Sequence, residues 1–408
     1  MGLEGVTRGR LPVVAVAALV AAVLGAAPAG AQTLRQELDQ ALTISGVSRA
    51  RTGALALDLG SGQVVYGLHR DLSLRPASNE KLGVALAALD RLGPGYRIRT
   101  QVLGDGVQAG STWKGRLVLR GLGDPTLTSG DLRRLASGLY ADGIRRVTGR
   151  ILGDESYFDA RRVADGWRAS YYKNESPPLS ALVVDRAKVG GRTVDNPALA
   201  AARAFRKALA VSGISVSGKA ARGRAPSGSP TLEVVRSPRL TRIVRRMNKQ
   251  SDNFYAEMLV KHLGAAIRGE GTTRAGCIVI RRELASRDVP LAGVRIVDGS
   301  GLSRRDRATA RALGALLVSA WRDPVVREPF FRALAIAGVD GTLEDRMRTG
   351  PAYGRVRAKT GTTRASSALS GYVGTRYVFA ILQNGRPINW TKARRTQDRF
   401  AQALARTY

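Results

Sequence analysis

The hydrophobic positions of this chain change their period several times, and those changes divide it into elements. Across residues 34–42 apolar side chains recur at helical spacing. "TGALALDLGSGQVVYGLHRD" then carries two alternating runs around Gly60, Ser61 and Gly62, the pattern of a hairpin that starts a sheet edge. From Ser78 onward Leu82, Ala85, Leu86 and Leu89 return to helical spacing, until "RLGPGYR" stops the pattern with Gly and Pro. This predicts a buried helix of about three to four turns.

Between residues 97 and 232 the texture shifts to short strands and turns, as in "GRLVLRGLGDPTL" and "RVTGRILGDESYFD", followed by a helical "NPALAAARAFRKALAVSG". The Gly/Ser/Pro-rich "ARGRAPSGSP" then leads through a strand-like "LEVVRS" into helices over 238–249 and 254–263. Near the end, "RVRAKTGTT", "SSALSGYVG" and "RYVFAILQNG" read as three successive strands, and "TKARRTQDRFAQALART" as a closing amphipathic helix. A chain of 408 residues exceeds one comfortable core. We therefore expect the two ends, 32–96 and 233–408, to share one sheet with helices packed on it, and 97–232 to form an inserted domain of strands and helices.

The N-terminus stands outside this pattern. Arg8 and Arg10, the apolar run 11–27 and the small triplet Ala29, Gly30, Ala31 read as a signal peptide of residues 1–31, cleaved after Ala31. The alternative is an uncleaved anchor, although the run falls short of the ~18–20 residues that a span needs. Export to a periplasmic or otherwise extracytoplasmic, cell-wall-associated location is expected, without a stable transmembrane anchor. The single cysteine, Cys277, excludes an intramolecular disulfide and reads as a small core residue.

Charge adds a question about partners. Lys and Arg total 65 against 32 acidic residues, a net charge of +33. The arginines are dispersed, which fits solvated faces, and export disfavours nucleic acid; a wall polyanion is the more sensible anionic partner. "GISVSGKA" approaches a P-loop, but Ala220 stands where Ser or Thr would bind magnesium, so it reads as strand and turn.

With only His69 and His262 in the chain, neither in a cluster of ligand-type residues, no metal site is expected, and a serine enzyme would use another base. A buried lysine can serve, because desolvation lowers its pKa and leaves a neutral amine to take the hydroxyl proton. Ser78 and Lys81 lie three apart on one helical face. Ser78 at the helix start also offers a backbone N–H to a developing oxyanion. Alone this pair is weak, since an N-cap serine followed by a solvated lysine looks the same. Two further motifs follow in order: Ser251-Asp252-Asn253 at a helix junction and Lys359-Thr360-Gly361 on a strand. Ser-x-x-Lys, Ser-Asp-Asn and Lys-Thr-Gly together form the signature of penicillin-binding proteins and serine β-lactamases.

The chain resembles the class C low-molecular-mass penicillin-binding proteins, the D-alanyl-D-alanine carboxypeptidase/endopeptidases, from about Leu34 to its end. "ASNEKL", "GLGDPTL", "ILGDESYFD", "SDNFYAE", "DGSGLSRRDR", "VDGTLEDR" and "RAKTGTT" carry the likeness. The resemblance implies an α/β fold: a transpeptidase-like domain, with an antiparallel sheet between helices on both faces, interrupted by the insert. It implies Ser78 as acylated nucleophile, Lys81 as its base, Ser251 as proton relay to the leaving amine and Lys359 as its electrostatic support. Asn253 would grip the substrate's amide backbone, the N–H groups of Ser78 and Thr362 would form the oxyanion hole, and Thr360 and Thr362 would meet the terminal carboxylate. Ser300, Arg304 and Asp154 resemble groups that meet the peptide stem and its diamino-acid end. Peptidoglycan peptides as substrate, β-lactams as covalent inhibitors and no cofactor follow from the same resemblance. A further domain that typical members nest between the segments matching "SALVVDR" and "NPALAAARAFRKAL" is replaced here by "AKVGGRTVD". The rival readings are a β-lactamase or esterase of the same fold and a catalytically silent wall-binding protein.

Overall fold

A computed structural model describes residues 29–408. The signal-peptide expectation rests on a segment most of which lies outside the described residues. Among the described residues no helix is long and apolar enough to cross a membrane.

Six antiparallel strands form the main sheet, in the spatial order Ala335–Ile336, Val356–Thr363, Ser366–Val373, Tyr377–Asn384, Thr52–Asp58, Val64–Leu68. The hairpin around Gly60 therefore supplies an edge strand, as its pattern predicted, and Thr52 opposite Gln383 joins the two ends of the chain. Strand side chains alternate between faces, so the sheet separates two cores. Leu55, Ala380 and Leu382 face helices Lys81–Leu92, Asn253–Arg268, Thr273–Ser286 and Ala310–Arg322. Ala54, Phe379 and Ile381 face helices Ala29–Ala41 and Trp390–Arg406, with Leu38 and Phe400 at the centre. Strand Ser366–Val373 is buried on both faces along its whole length, which is why "SSALSGYV" shows no polar alternation.

The insert has its own seven-stranded sheet, built on the long hairpin of Arg99–Ala109 and Thr112–Gly121. Helices Ser129–Ala141 and Pro197–Val211 cover one face through Leu135, Leu139, Phe205 and Leu209. Strand Thr231–Arg236 pairs antiparallel with Arg99–Ala109, so this sheet runs past the boundary expected at residue 232. The P-loop look-alike becomes two short strands, Ser215–Val216 and Ala220–Arg222, with no helix following. Between Ala187 and Val194 the chain makes a small hairpin, Lys188–Val189 with Arg192–Thr193.

Candidate active site

Ser78 sits in a 3-10 turn, Ala77–Glu80, from which helix Lys81–Leu92 continues. The expected helix thus begins three residues later than its motif suggests. The turn is entered from Pro76 with no side-chain cap, and the Ser78 hydroxyl donates to the Ser300 carbonyl at 3.3 Å, so the N-cap reading of Ser78 fails. Ala77 holds φ +48°, a left-handed conformation that costs about 1–3 kcal/mol for a residue with a side chain. Such strain persists only where surroundings fix it. Asn79 does so by donating to the Lys359 carbonyl at 3.2 Å, tying the turn to the Lys-Thr-Gly strand.

Lys81 is fully buried with its Nζ at three oxygens: Ser78 Oγ at 2.8 Å, Asn253 Oδ1 at 2.9 Å and the Ser300 carbonyl at 2.7 Å. Burial pulls its pKa down to about 8, against the opposing pull of the Asp298 and Glu257 carboxylates. Of its three partners, the carbonyl and the amide oxygen can only accept. In the neutral amine the two N–H bonds are claimed by these fixed acceptors, so the Nζ lone pair faces Ser78 Oγ and takes its proton once the hydroxyl turns from the Ser300 carbonyl to Nζ.

The second half of the site comes from two other elements. Ser251, at φ +55°, ends the turn after helix Leu240–Lys249, and Asp252 caps helix Asn253–Arg268 through the Tyr255 amide at 3.2 Å. Arg186 of the insert pairs with Asp252 at 2.7 Å, so the insert braces this motif. Lys359 is also fully buried and donates to Ser251 Oγ at 2.9 Å and the Thr360 carbonyl at 2.8 Å. Burial first, and then the charge of Lys81, hold its pKa well below the ordinary lysine value. Strand Val356–Thr363 pairs on one side only through Arg357 and Ala358, so among the described residues its edge from Lys359 to Thr363 has no ladder partner there. An extended peptide can add along such an edge. Thr362 is exposed beside that edge, whereas the Thr360 hydroxyl is bonded to Thr342 Oγ1 at 2.8 Å.

The structure brings Ser78, Lys81, Ser251, Asn253 and Lys359 into one cluster; other expected residues take different places. The Ser300 hydroxyl is buried against Asp298 at 3.2 Å, and it is the Ser300 carbonyl that meets the site. The Ser300 backbone thus contacts Lys81. Asp154 is buried in the insert's sheet, where its two oxygens accept from the amides of Ser156 at 2.8 Å and Ala225 at 3.0 Å. Arg304 is exposed on a cavity beside the cleft. His262 is a structural residue between the Leu122 carbonyl and the Tyr96 hydroxyl, its pKa lowered to about 4 by burial, and Cys277 is buried on helix Thr273–Ser286. Among the described residues no group of His, Cys, Asp and Glu could hold a metal.

Sequence reasoning missed the buried acids beneath the site. Glu257 Oε1 accepts the Gly299 and Ser300 amides at 3.1 and 2.8 Å, and Asp298 accepts those of Gly301 and Ser303, both at 2.7 Å. Together they shape the loop whose carbonyl orients Lys81. Burial raises the pKa of Glu257 to about 8 and those of Glu80 and Asp306 well above ordinary carboxyl values, with the Asp298 charge adding to each shift. The available signal was Glu257 itself, a charge four residues after Asn253 with Lys261 four residues beyond it on the same face of a largely apolar helix.

Comparison with known proteins shows the family. A D-alanyl-D-alanine carboxypeptidase of Actinomadura sp. (strain R39) is 31% identical over 478 aligned residues, covering 94% of this chain and 88% of that protein. The alignment is longer than the chain, so that relative carries residues absent here. A carboxypeptidase of Mycobacterium tuberculosis is also 31% identical, over 80% of this chain and 75% of its own length. The crystal structure of penicillin binding protein 4 from Haemophilus influenzae shares the fold with a TM-score of 0.79 at 21% identity, over 91% of this chain and 98% of that one. The family model for D-Ala-D-Ala carboxypeptidase 3 matches residues 34–191 and 187–407, two stretches that meet at the short hairpin of residues 188–193. The chain belongs to the D-Ala-D-Ala carboxypeptidase 3 (S13) family of serine-type carboxypeptidases.

Proposed function

We propose that the protein cleaves the bond after a D-alanine in peptidoglycan stem peptides through an acyl-enzyme on Ser78, and that β-lactams acylate the same oxygen. The observation that carries this reading is the environment of Lys81 Nζ, with two acceptors fixing its N–H bonds and Ser78 Oγ at 2.8 Å. Ser78 Oγ attacks the scissile carbonyl carbon while its proton passes to Lys81. The N–H groups of Ser78 and Thr362 stabilise the oxyanion. As the C–N bond breaks, Ser251 passes its proton to the leaving amine and takes up the one held by Lys81, its hydroxyl polarised by Lys359 at 2.9 Å. Water then attacks the ester carbonyl, giving a proton to Lys81, and the acyl–Oγ bond breaks as Lys81 returns a proton to Ser78, releasing the acid. Asn253 gains a second task beside gripping substrate, because its Oδ1 already orients Lys81 and its Nδ2 donates to the Glu175 carbonyl of the insert at 3.2 Å.

Both the terminal D-Ala-D-Ala bond and the D-Ala crosslink present this scissile geometry. Incubation with purified muropeptides, followed by mass analysis, separates carboxypeptidase from endopeptidase action; recovery of unchanged muropeptides would overturn the proposal. Export and wall association, with residues 1–31 as a cleaved signal, belong to the same reading, as does a wall polyanion as a neighbour of this basic protein.

The pH dependence follows from Lys81. Below its pKa of about 8 the amine carries a third proton and has no lone pair for Ser78. The acylation rate should climb with pH, about tenfold per unit well below the pKa, and level off above it. Stopped-flow acylation by a chromogenic β-lactam checks this; a rate that falls as pH rises toward 8 would exclude a neutral Lys81 as base.

A further inference from the structure

The insert carries a cationic groove that contributes nothing to the catalytic cluster. A cavity of about 520 Å³ lies between helix Pro197–Val211 and two short strands of the insert's sheet, Ser215–Val216 and Ala220–Arg222, each paired on one side only. Arg203, Arg206, Lys207 and Ala210 follow the i, i+3, i+4, i+7 spacing of one helix face, so three cations line the cavity side by side. The other face of this helix packs Ala202, Phe205 and Leu209 into the insert's core, which turns the cationic face outward. Lys219, from the P-loop look-alike, adds a fourth charge from the strand side.

No carboxylate lines the groove. Between Asp195 and Glu233 the chain holds six Lys and Arg and no acidic residue. Of these six, Arg222 pairs with Glu155 at 2.9 Å, whereas the four groove cations are exposed and, among the described residues, in no ion pair. Like charges three and four residues apart on a helix repel, so the grouping is unfavourable until an anion sits among them.

The surroundings narrow the class of anion. The Ser217 and Gly218 amides already donate to the Val147 and Gly149 carbonyls at 3.0 and 3.1 Å, so the look-alike offers no backbone nest to a nucleotide, and side chains alone meet the ligand. The volume is that of a ligand pocket and far exceeds one phosphate group. Lysine ammonium groups and guanidinium forks both suit phosphate oxygens. A lipid surface would call for large apolar side chains to enter the acyl boundary, but the apolar lining here is Ala210, Val216 and Ala220.

We propose that this groove binds a linear polymer with repeating phosphate groups and so holds the protein on an anionic wall component while the catalytic cleft works on peptide. The choice of ligand rests on the exported, wall-associated reading.

Long-chain inorganic polyphosphate is the probe, with binding to the full chain measured by calorimetry over a series of salt concentrations. An Arg203→Gln/Arg206→Gln/Lys207→Gln/Lys219→Gln variant should lose affinity by about tenfold or more, and its slope of log K against log salt should flatten by about 3, the release expected for four cations on a single strand. A control variant, Arg51→Gln/Arg242→Gln/Arg245→Gln/Arg274→Gln, removes the same charge from exposed positions outside the insert and should keep most of the affinity. Benzylpenicillin acylation reports the folding of both variants. Equal losses in the two variants would reduce the effect to net charge and overturn the site, as would groove-dependent binding to anionic lipid vesicles with none to polyphosphate. Muropeptide cleavage is read separately: its failure, with groove-dependent polyphosphate binding intact, would overturn the carboxypeptidase reading and leave the site standing.

Discussion

Replacing Lys81 with methionine is expected to slow acylation of Ser78 by about a hundred- to ten-thousand-fold, the usual contribution of a positioned general base. Methionine has nearly the length of lysine and suits a fully buried site, but its thioether sulfur is far too weak a base to take the hydroxyl proton. It also leaves Asn253 Oδ1 and the Ser300 carbonyl without the donor they now share. Their lost bonds cost stability, while removal of a buried amine relieves a desolvation penalty of opposite sign. Folding should therefore survive better than activity. Acylation by benzylpenicillin and a thermal melt separate the two effects. A Lys81→Met protein that acylates at the native rate would mean that the base is some other group.

Gly301→Ala is expected to damage both stability and activity, by about 3 kcal/mol or more in folding free energy if backbone strain and overpacking add. Gly301 holds φ +79°, and a Cβ there would lie 1.8 Å from the Ala77 carbonyl oxygen and 3.1 Å from the Ser78 amide. Both neighbours are backbone, so neither can swing aside. The displaced atoms are those of the turn that aims the nucleophile. Gly95 offers the control: nothing lies within 4 Å of a Cβ there, and Gly95→Ala should leave the protein unchanged. Urea denaturation of the two variants, with benzylpenicillin acylation as the activity readout, decides the matter; equal stability of both would refute this account of the turn.

Much of the site was legible because its chemistry depends on side-chain identity at fixed local spacing. Ser78 with Lys81, Ser251 with Asn253, and Lys359 with Thr360 each lie within a few residues of one another, and the period of the flanking apolar positions placed each motif on a helix, a junction or a strand. The main sheet was legible for a similar reason, since its last three strands are consecutive hairpins. What stayed hidden depends on long-range direction. Whether Ser300 meets the site by its hydroxyl or its carbonyl is settled by Glu257 and Asp298, which pull on the amides of that loop from below. The insert's sheet reaches Arg236 because Thr231–Arg236 finds its partner in Arg99–Ala109, more than a hundred residues away.

The central claim is that Ser78 is the acylated nucleophile of a slow-releasing penicillin-sensitive peptidase. Incubation with benzylpenicillin, followed by intact-mass measurement and peptide mapping, tests it most directly. The account predicts a single persistent penicilloyl adduct on the peptide containing Ser78, and none on the Ser78→Ala protein. An adduct on another residue, an adduct retained by Ser78→Ala, or release as fast as formation, which is the behaviour of a β-lactamase, would contradict it.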